Sequence, residues 1–142
     1  MRILLTGANG FIGRYLMAGL EAAGHTVVPA VRNPAALNRP DLEALAIDFN
    51  RDTSPADWAS RLVNIDCVIN CAGVLQSTAG QSAEAIHAAA PIALFEAARA
   101  AGIRRVIQIS AISAEPDAGT EYAETKLAAD RHLAGMDLDW VI

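Results

Sequence analysis

Short apolar runs alternate with longer amphipathic stretches along the whole chain. Most of the apolar runs are continuous rather than alternating with polar residues, a pattern typical of strands buried on both faces of a sheet. The runs predict strands at Arg2 to Leu5, Thr26 to Val31, Ala44 to Ile47, Cys67 to Ile69 and Val106 to Ile109, with one more beginning near Asp139. The stretches between them predict helices near residues 11–23, 55–63, 82–101 and 120–134.

Two of these helices carry signals that mark their ends. Ser54 followed by Pro55 is typical of an N-cap with proline at the first helical position. Ser82 and Gly102 flank the third helix as an N-cap and as the residue just past its C-terminus, where glycine readily adopts a left-handed conformation.

Strands that alternate with helices in this way predict an α/β fold. We expect a Rossmann-type doubly wound parallel sheet with helices on both faces, because right-handed crossovers place the strands side by side. No internal repeat or low-complexity stretch marks a second domain, so residues 1–142 are interpreted as one domain. The chain stops inside its last predicted strand, at DLDWVI, and we interpret this as a C-terminal truncation.

The composition disfavours nucleic acid and membranes as binding partners. Apolar residues make up 53% of the 142 residues, enough for a sizeable core, and the net charge of −5 disfavours non-specific binding to nucleic acid. No apolar run approaches the ~18 residues that a membrane-spanning helix needs, and the start, MRILLTG, does not fit a signal peptide. We therefore expect a cytoplasmic protein with no membrane or nucleic-acid partner.

The cysteines and histidines predict no metal site. Cys67 and Cys71 lie four residues apart in VNIDCVINC, where a disulfide along a strand is geometrically awkward, so we expect two free thiols. His25, His87 and His132 have no ligand spacing with one another or with the cysteines.

Three glycines at intervals of three, in LLTGANGFIGRYL, stand between the first strand and the first helix. Gly7 ends the strand where the backbone turns sharply, Gly10 leaves room for a phosphate, and Gly13 lets the helix pack closely on the strand. The unpaired N–H groups and the positive dipole end at the start of that helix attract anions. The segment therefore predicts a cradle for the pyrophosphate of a dinucleotide rather than a junction with incidental glycines.

The stretch TGANGFIG resembles the T-G-x-x-G-x-x-G signature of the short-chain dehydrogenases/reductases, especially their extended and atypical branches, and four further stretches fit in register. The resemblance covers essentially the whole chain. It implies the NAD(P)-binding domain of an oxidoreductase that acts on a small molecule carrying a carbonyl or hydroxyl group, with the hydride supplied by the cofactor. In this family, segments beyond the last strand of this chain complete the substrate pocket.

The same resemblance implies cofactor contacts at three further strand ends. Arg32 stands where NAD-specific members carry an acid and suits a 2′-phosphate, so we expect NADP, with NAD as the alternative. Asp48 resembles the acid that accepts from the adenine amino group, with Phe49 beside the ring, and residues 70–73 resemble the N-x-A-G motif that lines the cofactor. The full cofactor-binding set is Thr6, Gly7, Asn9, Gly10, Phe11, Ile12, Gly13, Arg32, Asp48, Phe49, Cys71, Ala72, Gly73 and Lys126.

Tyr122 and Lys126 are four residues apart on a predicted helix, so both lie on one face of it. Lys126 is the only lysine of the chain, and Tyr122 is one of two tyrosines. The pair resembles the Y-x-x-x-K active site of the family. A nearby ammonium favours the phenolate, so that Tyr122 would exchange a proton with the substrate oxygen, while Lys126 would also hold the nicotinamide ribose.

The third catalytic partner that the family implies is a serine after the fifth strand. VIQISAISA offers Ser110 and Ser113, and the resemblance to the extended branch puts the catalytic slot near Ile112, between them. We take Ser110 as the candidate, because it ends the strand at the carboxyl edge where ligands bind, and a serine that merely terminates the strand is the alternative. The slot of a structural asparagine holds His87, which we expect on the helix surface.

Two other functions stay open. The departures at the serine and asparagine slots resemble the branch that contains a complex I accessory subunit and NmrA-like regulators, which implies a non-catalytic NADP(H) sensor or assembly subunit. A sugar-nucleotide epimerase or dehydratase would keep the Tyr122 and Lys126 pair. The family also implies a homodimer through the helices near 82–101 and 120–134, with packing of those helices on their own sheet as the alternative.

Overall fold

Six parallel strands form one sheet in the computed structural model, which describes residues 1–142. The strands are β1 (Arg2–Thr6), β2 (Thr26–Val31), β3 (Leu45–Ala46), β4 (Cys67–Asn70), β5 (Arg105–Gln108) and β6 (Asp139–Val141), in the spatial order β3-β2-β1-β4-β5-β6. The order reverses between β1 and β4, which is where doubly wound sheets bind ligands at the carboxyl ends of their strands. The predicted fold class is confirmed.

Four α-helices connect the strands. They are α1 (Phe11–Ala22), α2 (Pro55–Ala59), α3 (Ala90–Ala100) and α4 (Glu121–Ala134). A 3₁₀ turn, Ser60–Leu62, continues α2, a π-helical turn, Ala85–Ala89, leads directly into α3, and a 3₁₀ helix, Pro34–Leu37, follows β2. None of the helices combines the length and the apolar character needed to cross a membrane.

Two hydrophobic cores form because alternate residues of each strand point to opposite faces of the sheet. The larger core holds 21 buried residues and packs the sheet against α2, α3 and α4; its strand residues include Leu4, Val28, Val68 and Val106. The smaller core holds 7 buried residues under α1 alone, among them Ile3, Leu5, Val27 and Ile69. Helices therefore lie on both faces of the sheet, with α2, α3 and α4 on the face of the larger core and α1 on the face of the smaller one.

The helix-end signals are confirmed in the structure. Ser54 and Asp57 form a capping box at the start of α2. The Ser82 hydroxyl accepts from the Ala85 N–H at 3.2 Å, and Gly102 has φ of 77° just past α3.

Several predicted boundaries were wrong by one or more residues. The strand predicted at Ala44 to Ile47 is only Leu45–Ala46, because β3 is an edge strand that pairs with β2 alone. The fifth strand runs one residue earlier, at Arg105–Gln108. The helix predicted over 55–63 changes to a 3₁₀ turn after Ala59, and the helix predicted over 82–101 contains the π-helical turn.

Candidate functional site

The turn between β1 and α1 is too tight for side chains at two of its glycines. Gly7 has φ of 64°, and a Cβ there would lie 2.8 Å from the carbonyl carbon and oxygen of Cys71. A Cβ on Gly13 would lie 2.1 Å from the carbonyl oxygen of Gly7, closer than any real contact. The roles predicted for these two glycines, a sharp turn and close helix–strand packing, match this geometry.

The first turn of α1 offers backbone donors that nothing in the chain accepts. The Gly10 N–H donates to the Gly7 carbonyl at 2.9 Å, and the Arg14 N–H donates to the Gly10 carbonyl at 3.1 Å. The N–H groups between them, at residues 11–13, donate to no group of the protein, and Gly10 brings no capping side chain. Together with the helix dipole, these free donors suit an anion.

A cleft of about 320 Å³ opens beside this turn, at the carboxyl ends of the strands. Arg32 is the only cation that lines it, and Asp48 is the only carboxylate. The lining residues are Gly7, Asn9, Gly10, Ala30, Val31, Arg32, Ile47, Asp48, Phe49, Asn50, Cys71, Ala72, Gly73, Val74, Gln81 and Ile86. The volume is within the range of small-molecule sites, which is about 300–1,000 Å³.

The cleft contains nine of the fourteen residues in the predicted cofactor-binding set. The five that do not line it are Thr6, Phe11, Ile12, Gly13 and Lys126. The side chains of Phe11 and Ile12 are exposed on α1, and Thr6 is fully buried. Phe49 lines the cleft, yet it is also a core residue that packs edge-on against Trp58 at 5.6 Å between ring centroids.

A buried polar chain ties together the ends of the three central strands. The Thr6 hydroxyl donates to Asn70 Oδ1 at 2.5 Å, and Asn70 Nδ2 donates to Gln108 Oε1 at 2.7 Å. Asn70 Oδ1 also accepts from the Ala72 N–H at 3.3 Å. These bonds fix the N-x-A-G segment against β1 and β5, so the cleft wall has a rigid base.

Lys126 lies on α4 with its ammonium turned into the protein. Its side chain is 4% exposed, and Nζ donates to the Ile109 carbonyl at 2.7 Å. Burial lowers the pKa of Lys126, while the charges of Asp130 and Cys71 act in the opposite direction. Tyr122, one helical turn before it, is half-buried.

Gly73 joins the cleft to this pair. A Cβ on Gly73 would lie 3.7 Å from Lys126 Nζ and 3.5 Å from His87 Nε2. Because Gly73 also lines the cleft, Lys126 lies directly behind the cleft wall at this position.

His87 is not on the helix surface, so that prediction was wrong. It is 1% exposed, on the π-helical turn before α3. Its ring packs edge-on against the ring of Tyr122, with 5.2 Å between the centroids. The extra residue in a π turn rotates the helix face, so His87 faces α4 and the cleft wall instead of solvent.

The partners of His87 determine its protonation. The Val74 N–H donates to Nε2 at 2.9 Å, so Nδ1 carries the proton and donates to the Thr125 hydroxyl at 3.0 Å. That hydroxyl in turn donates to the Glu121 carbonyl at 2.7 Å. Burial, and then the charge of Lys126, lower the pKa of His87 to about 4. The imidazole is therefore neutral near pH 7. Its two hydrogen bonds connect Val74, in the cleft wall, to Thr125 on α4.

Ser110 hydrogen-bonds to α4 rather than to Tyr122. Its hydroxyl donates to Asp130 Oδ2, and Ser110 does not line the cleft. Ser113 is exposed, and Ile112 is 98% exposed. The serine slot of the family thus holds a fully solvated isoleucine in this chain.

Both cysteines are free thiols, Cys67 within β4 and Cys71 just after it. Burial raises the pKa of Cys71 to about 11, and the positive charge of Lys126 opposes the rise. Cys71 is therefore protonated and weakly nucleophilic at neutral pH. No cluster of three or more His, Cys, Asp or Glu side chains is arranged to hold a metal ion.

Sequence reasoning missed three polar residues around the site, Thr125, Gln108 and Gln81, and it misplaced His87 on the helix surface. Thr125 and Gln108 bond to groups more than 30 residues away along the chain, which no local pattern reveals. The substitution of a histidine for the family asparagine was visible, but the register of the π turn was not.

Known proteins resemble this chain in sequence over nearly its whole length. The profile of a family described as NAD(P)H-binding matches residues 7–142. The chain is 33% identical, over 98% of its length, to UDP-2-acetamido-2,6-beta-L-arabino-hexul-4-ose reductase of Pseudomonas aeruginosa, and it spans 32% of that protein. It is 30% identical over its whole length to the uncharacterized sugar epimerase YhfK of Bacillus subtilis and spans 70% of that protein.

A solved structure with the same fold is similar to nearly the whole chain. MoeE5 in complex with UDP-glucose and NAD superposes with a TM-score of 0.72 and 27% sequence identity, over 99% of this chain and 52% of that one.

Proposed function

The chain belongs to the NAD(P)H-binding family, within the extended and atypical branch of the short-chain dehydrogenases/reductases. We propose that it is the cofactor-binding domain of an oxidoreductase. In this proposal it binds NADP(H) and transfers hydride between the nicotinamide and a carbonyl or hydroxyl group. Tyr122 is the acid–base residue, and Lys126 supports it.

One observation carries the proposal: the cleft beside the glycine turn extends to Gly73, and Gly73 lies against Lys126 and His87. The free N–H groups at the start of α1 and the absence of side chains at Gly7 and Gly10 fit a pyrophosphate at one part of the site. At the other end, Lys126 lies against Gly73, and the ring of Tyr122 packs against His87. The residues present therefore fit a nicotinamide dinucleotide.

The chain's own residues then have distinct tasks. The cofactor would be held by the turn at Gly7 and Gly10 and by the wall at Ala72 and Gly73, and it supplies the hydride chemistry when bound. Tyr122 gives a proton to the substrate oxygen, or takes one in the reverse direction. Lys126, one helical turn after Tyr122, would hold the nicotinamide ribose, and its hydrogen bond to the Ile109 carbonyl fixes the ammonium in place.

The preference for NADP rests on Arg32. It is the only cation lining the cleft, it follows β2, and no acid stands beside it on that strand to take a ribose 2′-hydroxyl. A guanidinium pairs well with a phosphate dianion. NAD stays the alternative cofactor, and it is the one bound in the MoeE5 structure.

Replacement of Tyr122 by phenylalanine tests the catalytic assignment. The purified full-length protein would be mixed with NADPH and a panel of aldehydes and ketones, and the loss of reduced nicotinamide would be followed by its absorbance. We expect Tyr122→Phe to lower turnover by about 10²–10⁴-fold, because the proton donor is gone, and to leave the Kd for NADPH within about twofold.

Tyr15→Phe is the matched control, since Tyr15 is the other tyrosine and lies exposed on α1. It should change neither turnover nor affinity. Wild-type turnover in Tyr122→Phe would contradict the catalytic assignment.

A second candidate, a non-catalytic NADP(H) sensor or assembly subunit, is favoured by one observation. The family's serine slot holds the exposed Ile112, and Ser110 is bonded to Asp130 instead. This candidate keeps the cofactor site and drops the chemistry. Tight NADPH binding by the full-length protein, without turnover across the whole carbonyl panel, would support this candidate over the oxidoreductase.

A third candidate is a sugar-nucleotide epimerase or dehydratase, as the names of YhfK and the UDP-glucose complex of MoeE5 suggest. Such an enzyme ends each turnover with its nicotinamide in the starting redox state. Conversion of a sugar nucleotide to its epimer, without net oxidation of added NADPH, would favour this candidate.

A further inference from the structure

The segment from Val74 to Ser82, here called the strap, runs from β4 to the π-helical turn along the rim of the cleft. Val74 and Gln81, near its two ends, both line the cleft. At the first end the Val74 N–H is held by His87. In the middle, the Ser77 hydroxyl donates to Glu121 Oε1 at 2.8 Å, which anchors the strap to the first turn of α4.

The second end of the strap is fixed by Asn50. Asn50 Oδ1 accepts from the Ser82 N–H at 3.0 Å, and Asn50 Nδ2 approaches the Gly80 carbonyl at 3.4 Å. Asp48 Oδ1 in turn accepts from the backbone N–H of Asn50 at 3.0 Å and from its side-chain nitrogen at 3.2 Å. The backbone on both sides of Gln81 is therefore held, and its side chain has a defined place at the cleft.

Gln81 uses that place to contact Arg32. The hydrogen-bond network assigns the Gln81 carboxamide oxygen to the guanidinium, since an amide nitrogen there would face only donors. In this orientation Oε1 accepts from Arg32 Nη1 at 2.5 Å and from Nη2 at 3.1 Å. The only cation of the cleft is thus paired with a neutral acceptor on the strap.

The neutrality of Gln81 has a chemical consequence. A carboxamide holds a guanidinium at the cleft without cancelling its charge, and a phosphate dianion is a much stronger acceptor that can displace it. The nearby carboxylate of Asp48 does not compete in the same way, because its oxygens face Asn50 and, at 3.6 Å, the guanidinium of Arg51. Arg32 is therefore positioned in the cleft wall and still available to an anion.

We propose that Gln81 is a specificity-determining residue of this cleft: it presents Arg32 to the 2′-phosphate of NADP(H), and with Arg32 it sets the preference over NAD(H). The inference rests on the proposed function, because it assumes that the cleft binds a nicotinamide dinucleotide. Discrimination between NADP(H) and NAD(H) is otherwise ascribed to Arg32, after β2, alone. The inference adds Gln81, a residue of the strap.

Replacement of Gln81 by glutamate tests the proposal with almost no change of shape. The carboxylate would form an ion pair with Arg32 and repel the 2′-phosphate, while NADH carries no charge at that position. Calorimetric titration of the purified protein with NADPH and with NADH should show the Kd for NADPH raised about tenfold or more and the Kd for NADH changed less than about twofold.

Gln76→Glu is the matched control, since it makes the same charge change at an exposed strap residue that does not line the cleft. It should leave the ratio of the two Kd values unchanged. An unchanged ratio of the two Kd values in Gln81→Glu would overturn this inference and leave the proposed function standing. A wild-type protein that binds neither cofactor would overturn the proposed function as well.

Discussion

At the scale of single residues, the site depends on His87 being uncharged. A protonated imidazole could no longer accept from the Val74 N–H, and it would stand beside the buried ammonium of Lys126. Its hydrogen bond to Thr125, one residue before Lys126, links the cleft wall to the helix that carries the proposed catalytic pair.

The depressed pKa of His87 leads to a pH-dependent stability. Because that pKa is about 4 in the folded protein and about 6.5 in the unfolded chain, the unfolded chain binds more protons between these values. The stabilisation is fully present above about pH 6.5 and is lost as the pH falls towards 4, with an upper limit of about 3 kcal/mol.

Urea unfolding of the wild type and of His87→Gln at several pH values measures this contribution. The glutamine keeps a neutral acceptor for Val74 but does not titrate, so its stability should fall less on acidification. The carboxylates titrate in both proteins and cancel in the difference. Parallel pH profiles would show that His87 is not buried as a neutral group.

Residue spacing alone revealed part of this site. The glycine turn and the Tyr122–Lys126 pair were found because their geometry is local: a strand end, a helix start and one helical turn. The bonds of Gln81 to Arg32 and of Thr6 to Asn70 span 49 and 64 residues, respectively, and follow only from the folded sheet. His87 was misjudged because its face is set by a π turn, which apolar periodicity does not register.

At the scale of secondary-structure elements, the start of α1 is the critical junction. Gly13 lies on the first turn of the helix, and its missing side chain lets the helix pack against the backbone of Gly7 and Ala8. The same approach positions the free N–H groups of residues 11–13. Packing and the proposed anion binding therefore both depend on the close approach of Gly13 to the backbone of Gly7 and Ala8.

Gly13→Ala should break that contact. The added Cβ would lie 2.1 Å from the Gly7 carbonyl oxygen, and because that atom belongs to the backbone, α1 must move away. We expect a loss of at least about 2 kcal/mol in the free energy of unfolding and no measurable binding of NADPH.

Gly19→Ala on the same helix is the control for this change. A Cβ there meets no atom within 4 Å, so the alanine should stabilise the protein by about 0.5–1 kcal/mol through helix propensity. Unfolding curves and NADPH titrations of both variants test the prediction. If Gly13→Ala resembled Gly19→Ala in both, the proposed packing role of Gly13 would be wrong.

The ends of the strands and helices were harder to predict than their presence. The central strands were placed well because their apolar runs are buried on both sides of the sheet. The edge strand β3 was predicted too long, since only β2 defines it. Helix periodicity likewise does not tell an α-helix from the 3₁₀ turn at Ser60–Leu62.

At the scale of the whole molecule, the candidate site collects parts from distant stretches of the chain. The turn after β1, the ends of β2 and β4, the strap and α4 all border one cleft or its end at Gly73. A ligand that touches most of them can bind only when they are assembled. Binding should therefore stabilise the folded state as a unit.

Titration of the purified protein with NADPH and NADH, by calorimetry and thermal unfolding together, tests the central claim most directly. We expect saturable one-site binding of at least one cofactor, a rise in Tm that grows with its concentration, and tighter binding of NADPH. A folded protein that gives no heat of binding and an unchanged Tm with both cofactors would contradict it.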